Sequence, residues 1–413
     1  MLLLDNPILS YAWGSRTSLA QLLGRPPAER PEAELWIGAH PQAPSRTSDG
    51  RSLLQLIQAD PARMLGPAVE REFGPRLPYL LKVLAVDAPL SLQAHPNLEQ
   101  ARAGFAREQA AGIPLDARER SYKDDNHKPE LLCALTRFEA LCGFRAPLAS
   151  AALFEQLGLG DLELVRALRS SGPEPLRAAF SELLLLRGEA RARCAADVVA
   201  RCERASGADS PFSGSFAWAA RLGQAYPGDV GAVASLLLNH LVLEPLQALY
   251  LEAGRLHAYL SGSGVEIMAN SDNVLRGGLT PKHVDVPELL RVLRFDAPPV
   301  APTPTRRVST AELAYETSAR EFCLSRIDLE PQQPLGVRLR GPELLLCVEG
   351  QVQVQPGSVQ PGSAQPALPA RTLAKGQACF LPASAGSVRL QGAARLFRAG
   401  VGGDGTAGGA PAG

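Results

Sequence analysis

Residues 257–276 read HAYLSGSGVEIMANSDNVLR. After His257, small, polar and apolar residues alternate, a carboxylate follows at Glu266, and the run closes on Arg276. The preceding segment, 242–254, is strand-like and bounded by turns. A histidine at a strand mouth, with a carboxylate and an arginine within twenty positions, points to an active site on a β framework, provided that partners lie elsewhere in the chain.

Working outward, the nearest partners come from 77–130. The run LPYLLKVLAV at 77–86 reads as a buried strand that is apolar except for Lys82. A charge there is expensive unless paired. In LSLQAHP at 90–96 the alternation places Ser91, Gln93 and His95 on one face of an extended strand. Asn97 caps a helix that runs to 111. The polar run YKDDNHKPE at 122–130 leads into a strand at 131–135, and 138–144 reads as another. Upstream, YAWGS at 11–15 is an aromatic turn, 33–37 a strand, and 51–72 largely helical.

Beyond this the texture changes twice. From 147 to 235, leucine and alanine recur at three- and four-residue spacing, which predicts an all-helical domain. Strand texture returns at 236, followed by a tight turn at 277–282, a short helix at 285–293 and a proline-rich linker at 298–304. Residues 306–400 read as short strands with frequent turns, including a hairpin-like pair within 343–354 that turns at Glu349-Gly350. The segment 355–370 is a Pro/Gly/Gln/Ser loop, and the glycine-rich tail at 401–413 is expected to be disordered.

The totals narrow the function. A chain of 413 residues holds two or three domains. Lys+Arg and Asp+Glu both number 42, which gives no electrostatic case for nucleic acid or an anionic membrane. Any anionic ligand must be met by a local cluster of bases. The seven cysteines are scattered, with no Cys-x-x-Cys pair, so reduced thiols in a cytoplasmic protein are expected. The start carries no basic region and only a four-residue apolar run, so no signal peptide is expected, and no run of eighteen apolar residues occurs. No glycine-rich nucleotide loop occurs.

Gln93, His95, Glu130 and His257 form a plausible zinc shell: two imidazoles, a carboxylate and a neutral amide oxygen, with a position left for water or substrate. Their wide spacing leaves the alternative that the two histidines are ordinary polar residues at strand ends. Lys82, Lys128, Arg276 and Lys282 lie in or beside the same strands, and four cations there suggest an anionic substrate such as a phosphate, with Ser91 as a donor. Solvated surface lysines are the plain alternative, and Arg276 could equally pair with Glu266 or Asp272.

QAHPN at 93–97, YKDDNHKPE at 122–130 and the block at 257–286 resemble the type I phosphomannose isomerases, and YAWGS and AELWIGAHP add to the likeness. The resemblance implies a mainly β protein with α: two cupin-type β-barrels (jelly rolls) and an inserted all-helical domain. It implies a catalytic barrel from 1–146 and 236–300, the helical insertion at 147–235 and a second cupin-like unit at 301–400. It implies one Zn2+ on Gln93, His95, Glu130 and His257, and interconversion of mannose 6-phosphate and fructose 6-phosphate. Arg276, Lys128 and Glu266 would be catalytic; Trp13, Glu34, Lys82, Ser91, Tyr259 and Lys282 would bind substrate. A monomeric cytoplasmic isomerase is expected. The rivals are a sugar-phosphate-binding protein that has lost catalysis, and a related metal-dependent isomerase acting on another sugar.

Overall fold

A computed structural model of the chain describes residues 1–170, 174–207, 209–357 and 370–403. The protein is a sheet-rich mixture of β and α built on two ten-stranded sheet systems. Its first twelve strands are β1 (Leu2–Asp5), β2 (Ile8–Leu9), β3 (Glu34–Ile37), β4 (Arg46–Thr47), β5 (Tyr79–Val86), β6 (Leu92–Ala94), β7 (Glu130–Ala134), β8 (Phe138–Phe144), β9 (Leu238–Leu243), β10 (Ala248–Leu251), β11 (His257–Ala269) and β12 (Leu275–Gly278). The expected helix after Asn97 is present as Leu98–Ala110, closed by a reciprocal cap between Asn97 and Gln100. The segment 51–72 forms three short helices, two of them opened by Pro61 and Pro67.

The focal strand β11 organises the first sheet system. Its second half pairs with β5 and β7, and its first half with β6 and β8. The register shifts between Tyr259 and Ser261. Such a bulge exchanges the faces to which odd and even residues point. His257 and Tyr259 before it, and Glu266 after it, therefore face one interior, where Leu84, Val86, Leu132, Phe138 and Leu249 pack around Tyr259.

Both outer surfaces are covered. Leu92, Ala94, Leu141, Ala258, Leu260 and Leu275 pack against the helices that lie between β8 and β9, burying Phe154, Phe180 and Phe216 in one core. On the other side, Leu81, Val83, Leu131, Val265 and Ile267 share a core with Phe322, Leu344, Phe380 and Phe397 of the carboxy-terminal strands. Each buried Leu or Phe contributes about 1.5–3 kcal/mol through removal from water.

Two sequence expectations give way to different pairings. The segment expected as a hairpin is a single strand, Glu343–Pro356, that runs beside Ser387–Gly400 for its whole length. The bulge lies between Cys347 and Glu349, and Gly350 just beyond it continues the strand with no reversal: its φ is 69°, and a Cβ there would lie 2.0 Å from the Ala393 carbonyl. Strands β1 and β4, early in the chain, hydrogen-bond into the carboxy-terminal sheet, with Leu3 opposite Cys379 and Leu4 opposite Thr47. The loop expected across 358–369 and the tail across 404–413 lie outside the described residues. All seven cysteines are free, and no described helix is long and apolar enough to cross a membrane.

The carboxy-terminal sheet holds a buried charge cluster. Arg398 donates to Glu343 at 2.6 and 2.7 Å and to Glu312 at 3.0 Å. Burial pushes the Glu343 carboxyl up despite that arginine. Removing the guanidinium would leave two buried carboxylates without their counter-charge. Arg398→Leu is expected to lower stability by about 3–5 kcal/mol, read as the midpoint of a urea melt; a shift below about 1 kcal/mol would show that the cluster is already solvated.

Candidate metal and substrate site

Three strands align the first group of site residues. His257 on β11 lies directly opposite Gln93 on β6, and Gln93 lies opposite Arg276 on β12. Directly paired residues in an antiparallel sheet project from the same face, so His257, Gln93 and Arg276 form a row. His95 lies two residues beyond Gln93, just past the end of β6. Glu130 arrives from the opposite half of the system, as the first residue of β7, paired with Met268.

His95, Glu130 and His257 are all buried, and their available ligand atoms lie within 4.8 Å of one another. His95 Nδ1 is 2.7 Å from the Asn273 carbonyl, and His257 Nδ1 is 2.9 Å from that of Arg255. A carbonyl can only accept, so each Nδ1 carries a proton, the tautomer that leaves Nε2 to present a lone pair when the ring is neutral. Those Nε2 atoms are 3.5 and 3.6 Å from the Glu130 carboxylate, beyond hydrogen-bond length. Both Nε2 atoms and Glu130 Oε2 are buried without a hydrogen-bond partner among the described residues. Burial drives His95 down to about 4 against the pull of Glu130, so its ring is neutral. Burial raises the Glu130 carboxyl, but Lys128, 3.1 Å away, and the imidazoles outweigh it and hold it well below the usual range. Two imidazole Nε2 atoms and an ionised carboxylate that converge in a buried space are a donor set that fits a divalent transition metal.

A second group sits beside it. Lys82 Nζ is 3.3 Å from Glu34 and 3.8 Å from Glu266, and stands 4.9 Å from the Trp36 ring centroid. Burial alone would lower this ammonium, yet the surrounding carboxylates raise it. The lone charge in LPYLLKVLAV is thus paired on both sides, as its cost required. Glu266 accepts from the Tyr259 hydroxyl at 2.9 Å, and burial together with the charge of Glu130 pushes its carboxyl up to about 7. Trp13 packs at the rim of the interior cluster and stacks on Tyr11 at 5.7 Å. Lys282 is exposed, and partial burial and the charge of Arg276 lower it. Ser91 lies just ahead of β6, in alternation with Gln93.

The sequence left Arg276 between two roles, and the geometry separates them. Glu266 is held by Lys82 and Tyr259, and Asp272 by Gln42 and His40. The Arg276 side chain makes no hydrogen bond or ion pair among the described residues. Asn273 and Asp124, from two distant polar runs, are bonded to each other across the site, Asn273 Nδ2 donating to the Asp124 carbonyl at 2.8 Å. The only signal in sequence was that two dense polar runs, 122–126 and 270–273, flank the candidate ligands.

Comparison with known proteins agrees with this geometry. The family model for the type I phosphomannose isomerase catalytic domain matches residues 1–147. The mannose-6-phosphate isomerase of Escherichia coli (strain K12) is 39% identical over 401 residues, covering 96% of this chain and 98% of that one. The chain belongs to the type I phosphomannose isomerase family. The human mannose-6-phosphate isomerase is 37% identical over 71% of this chain and 72% of its own length. A mannose-6-phosphate isomerase from Salmonella typhimurium, solved with fructose 6-phosphate and zinc bound, superposes with a TM-score of 0.87 at 38% identity, covering 97% of this chain and 99% of that one. Another structure of a mannose 6-phosphate isomerase carries zinc and yttrium. This phosphomannose isomerase chain therefore shares its fold with those structures over nearly its whole length.

Proposed function

We propose that this chain is a zinc enzyme that interconverts mannose 6-phosphate and fructose 6-phosphate, moving a proton between C1 and C2 through an enediol. The observation that carries the reading is the convergence of three buried, partnerless ligand atoms from His95, Glu130 and His257. Gln93, opposite His257, completes the set that would hold one ion per chain. When bound, zinc supplies a Lewis acid that polarises substrate oxygens.

The chain's own residues supply the rest. Arg276 is a fixed, unpaired positive charge in the row with Gln93 and His257, suited to the oxygen on which negative charge develops. Glu266, near 7, exchanges a proton readily at neutral pH, with Lys82 and Tyr259 holding its carboxylate in place. Lys128, against Glu130, is the second proton-handling group. Trp13, Glu34, Ser91 and Tyr259 line the sugar. Lys82 is neutralised by two carboxylates, so the phosphate charge falls mainly to Lys282 beside Arg276.

The architecture supports two cupin-type barrels, one from 1–146 and 236–300 and one from 301–400, with a helical insertion at 147–235 and with β1 and β4 lent to the second sheet. A monomeric, cytoplasmic enzyme completes the reading. The complete ligand set and the free Arg276 argue against a binding protein that has lost catalysis. A coupled assay with mannose 6-phosphate set beside mannose tests the substrate. The phosphorylated sugar is expected to show a kcat/KM at least about 10²-fold higher, the worth of one or two charge-assisted contacts; equal values would remove the phosphate site.

A further inference from the structure

Asn273 is fully buried, and its side chain does not bond its own turn. Its Oδ1 accepts from the amides of Lys123 at 2.7 Å and Asp124 at 3.2 Å. Its Nδ2 donates to the carbonyls of Asp124 and Asn126, each at 2.8 Å. A turn-forming asparagine satisfies backbone two or three residues away; these partners are 147 to 150 residues distant. Asp124 closes the knot from the other side, accepting from the Ser271 hydroxyl at 2.8 Å and the Asp272 amide at 2.7 Å. The Asn273 carbonyl, in turn, is the group that accepts from His95 Nδ1 at 2.7 Å.

One residue thus ties three separate arms. The bonded loop runs directly into Lys128 and Glu130, the peptide oxygen sets the His95 tautomer, and β12 begins two residues on and carries Arg276. We propose that Asn273 is a positioning residue that locks the Lys123–Asn126 loop to His95, so that the ligand atoms of His95 and Glu130 meet at metal-binding separation. The inference rests on the metal reading above. It requires both halves of the carboxamide, because the loop presents two amides to one side and two carbonyls to the other.

The test measures zinc affinity by competition with a chromophoric chelator, alongside kcat and KM for mannose 6-phosphate at saturating zinc. Asn273→Ala is expected to weaken zinc binding about 10–100-fold, as loss of an outer-shell partner does. It should also lower kcat about tenfold or more, with KM within about threefold. Asn273→Asp replaces the donor with an oxygen facing two carbonyls and the Asp124 carboxylate, so it should not rescue either quantity. Zinc affinity and kcat unchanged in Asn273→Ala, or restored in Asn273→Asp, would overturn the proposal. Should neither variant fold, hydrogen exchange in the unmodified protein decides. Linkage requires zinc to tighten what helps to bind it, so the Lys123 and Asp124 amides should exchange about tenfold more slowly with zinc than after chelation. Equal exchange would refute the coupling. Unmodified protein that takes up no zinc would overturn the metal reading itself.

Discussion

His257→Ala is expected to leave the purified protein nearly free of zinc and to lower turnover of mannose 6-phosphate by about 10³-fold or more. Zinc sites bind with about 10–16 kcal/mol overall, so one of four ligands accounts for about 3–4 kcal/mol, or 10²–10³ in affinity. Turnover then falls with both occupancy and the lost polarisation of the substrate oxygens. In the fold the buried ring otherwise packs against His95 and Tyr259. Its Nδ1 meets one backbone carbonyl, and its Nε2 has no hydrogen-bond partner among the described residues. The metal-free variant should therefore melt within a few degrees of the metal-free parent, since a partial cavity and one hydrogen bond cost about 1–2 kcal/mol. Elemental analysis after gel filtration, with the coupled assay, checks both quantities. A variant that keeps a full equivalent of zinc, or a tenth of the parent turnover, would remove His257 from the ligand set.

Side-chain alternation made one half of this site legible and hid the other. It set Gln93 on the face where the pairing puts His257 and Arg276, and the cost of an unpaired buried charge required a partner for Lys82. Alternation says which face a residue takes, but not which strand lies opposite. That Gln93 sits between His257 and Arg276 depends on pairing across more than a hundred residues of chain, including the helices that lie between β8 and β9. Within β11 a simple two-residue period would put His257 and Glu266 on opposite faces. The bulge after Tyr259 reverses the count and brings both inside. The same physics misled at Glu349-Gly350, where a turn-like dipeptide sits at a bulge in an unbroken strand. Asn273 was hidden for a related reason: Asn is common in turns, and only tertiary structure shows its side chain spent on a distant loop.

The same logic of spent and unspent groups picks out Arg276. The buried cations and acids around it are matched: Lys82 with Glu34 and Glu266, Lys128 with Glu130, Asp272 with His40 and Gln42. Among the described residues Arg276 alone in this group has no hydrogen-bond or ion-pair partner, and burial depresses its guanidinium. An unpaired, half-buried charge weakens the folded state, so its presence is better explained by a ligand than by packing. Arg276→Ala is therefore expected to lower kcat by about 10²–10³-fold, the usual cost of removing one group that meets developing negative charge. Zinc content should stay near one equivalent, because the row places Gln93 between Arg276 and His257. The melting temperature should be unchanged or slightly higher, by no more than the few degrees that about 1 kcal/mol provides. Arg276→Lys should recover only part of the loss, since a single ammonium cannot reproduce the planar fork. Loss of zinc or a marked fall in stability in the alanine variant would make Arg276 a structural residue; unchanged kcat would remove it from the chemistry altogether.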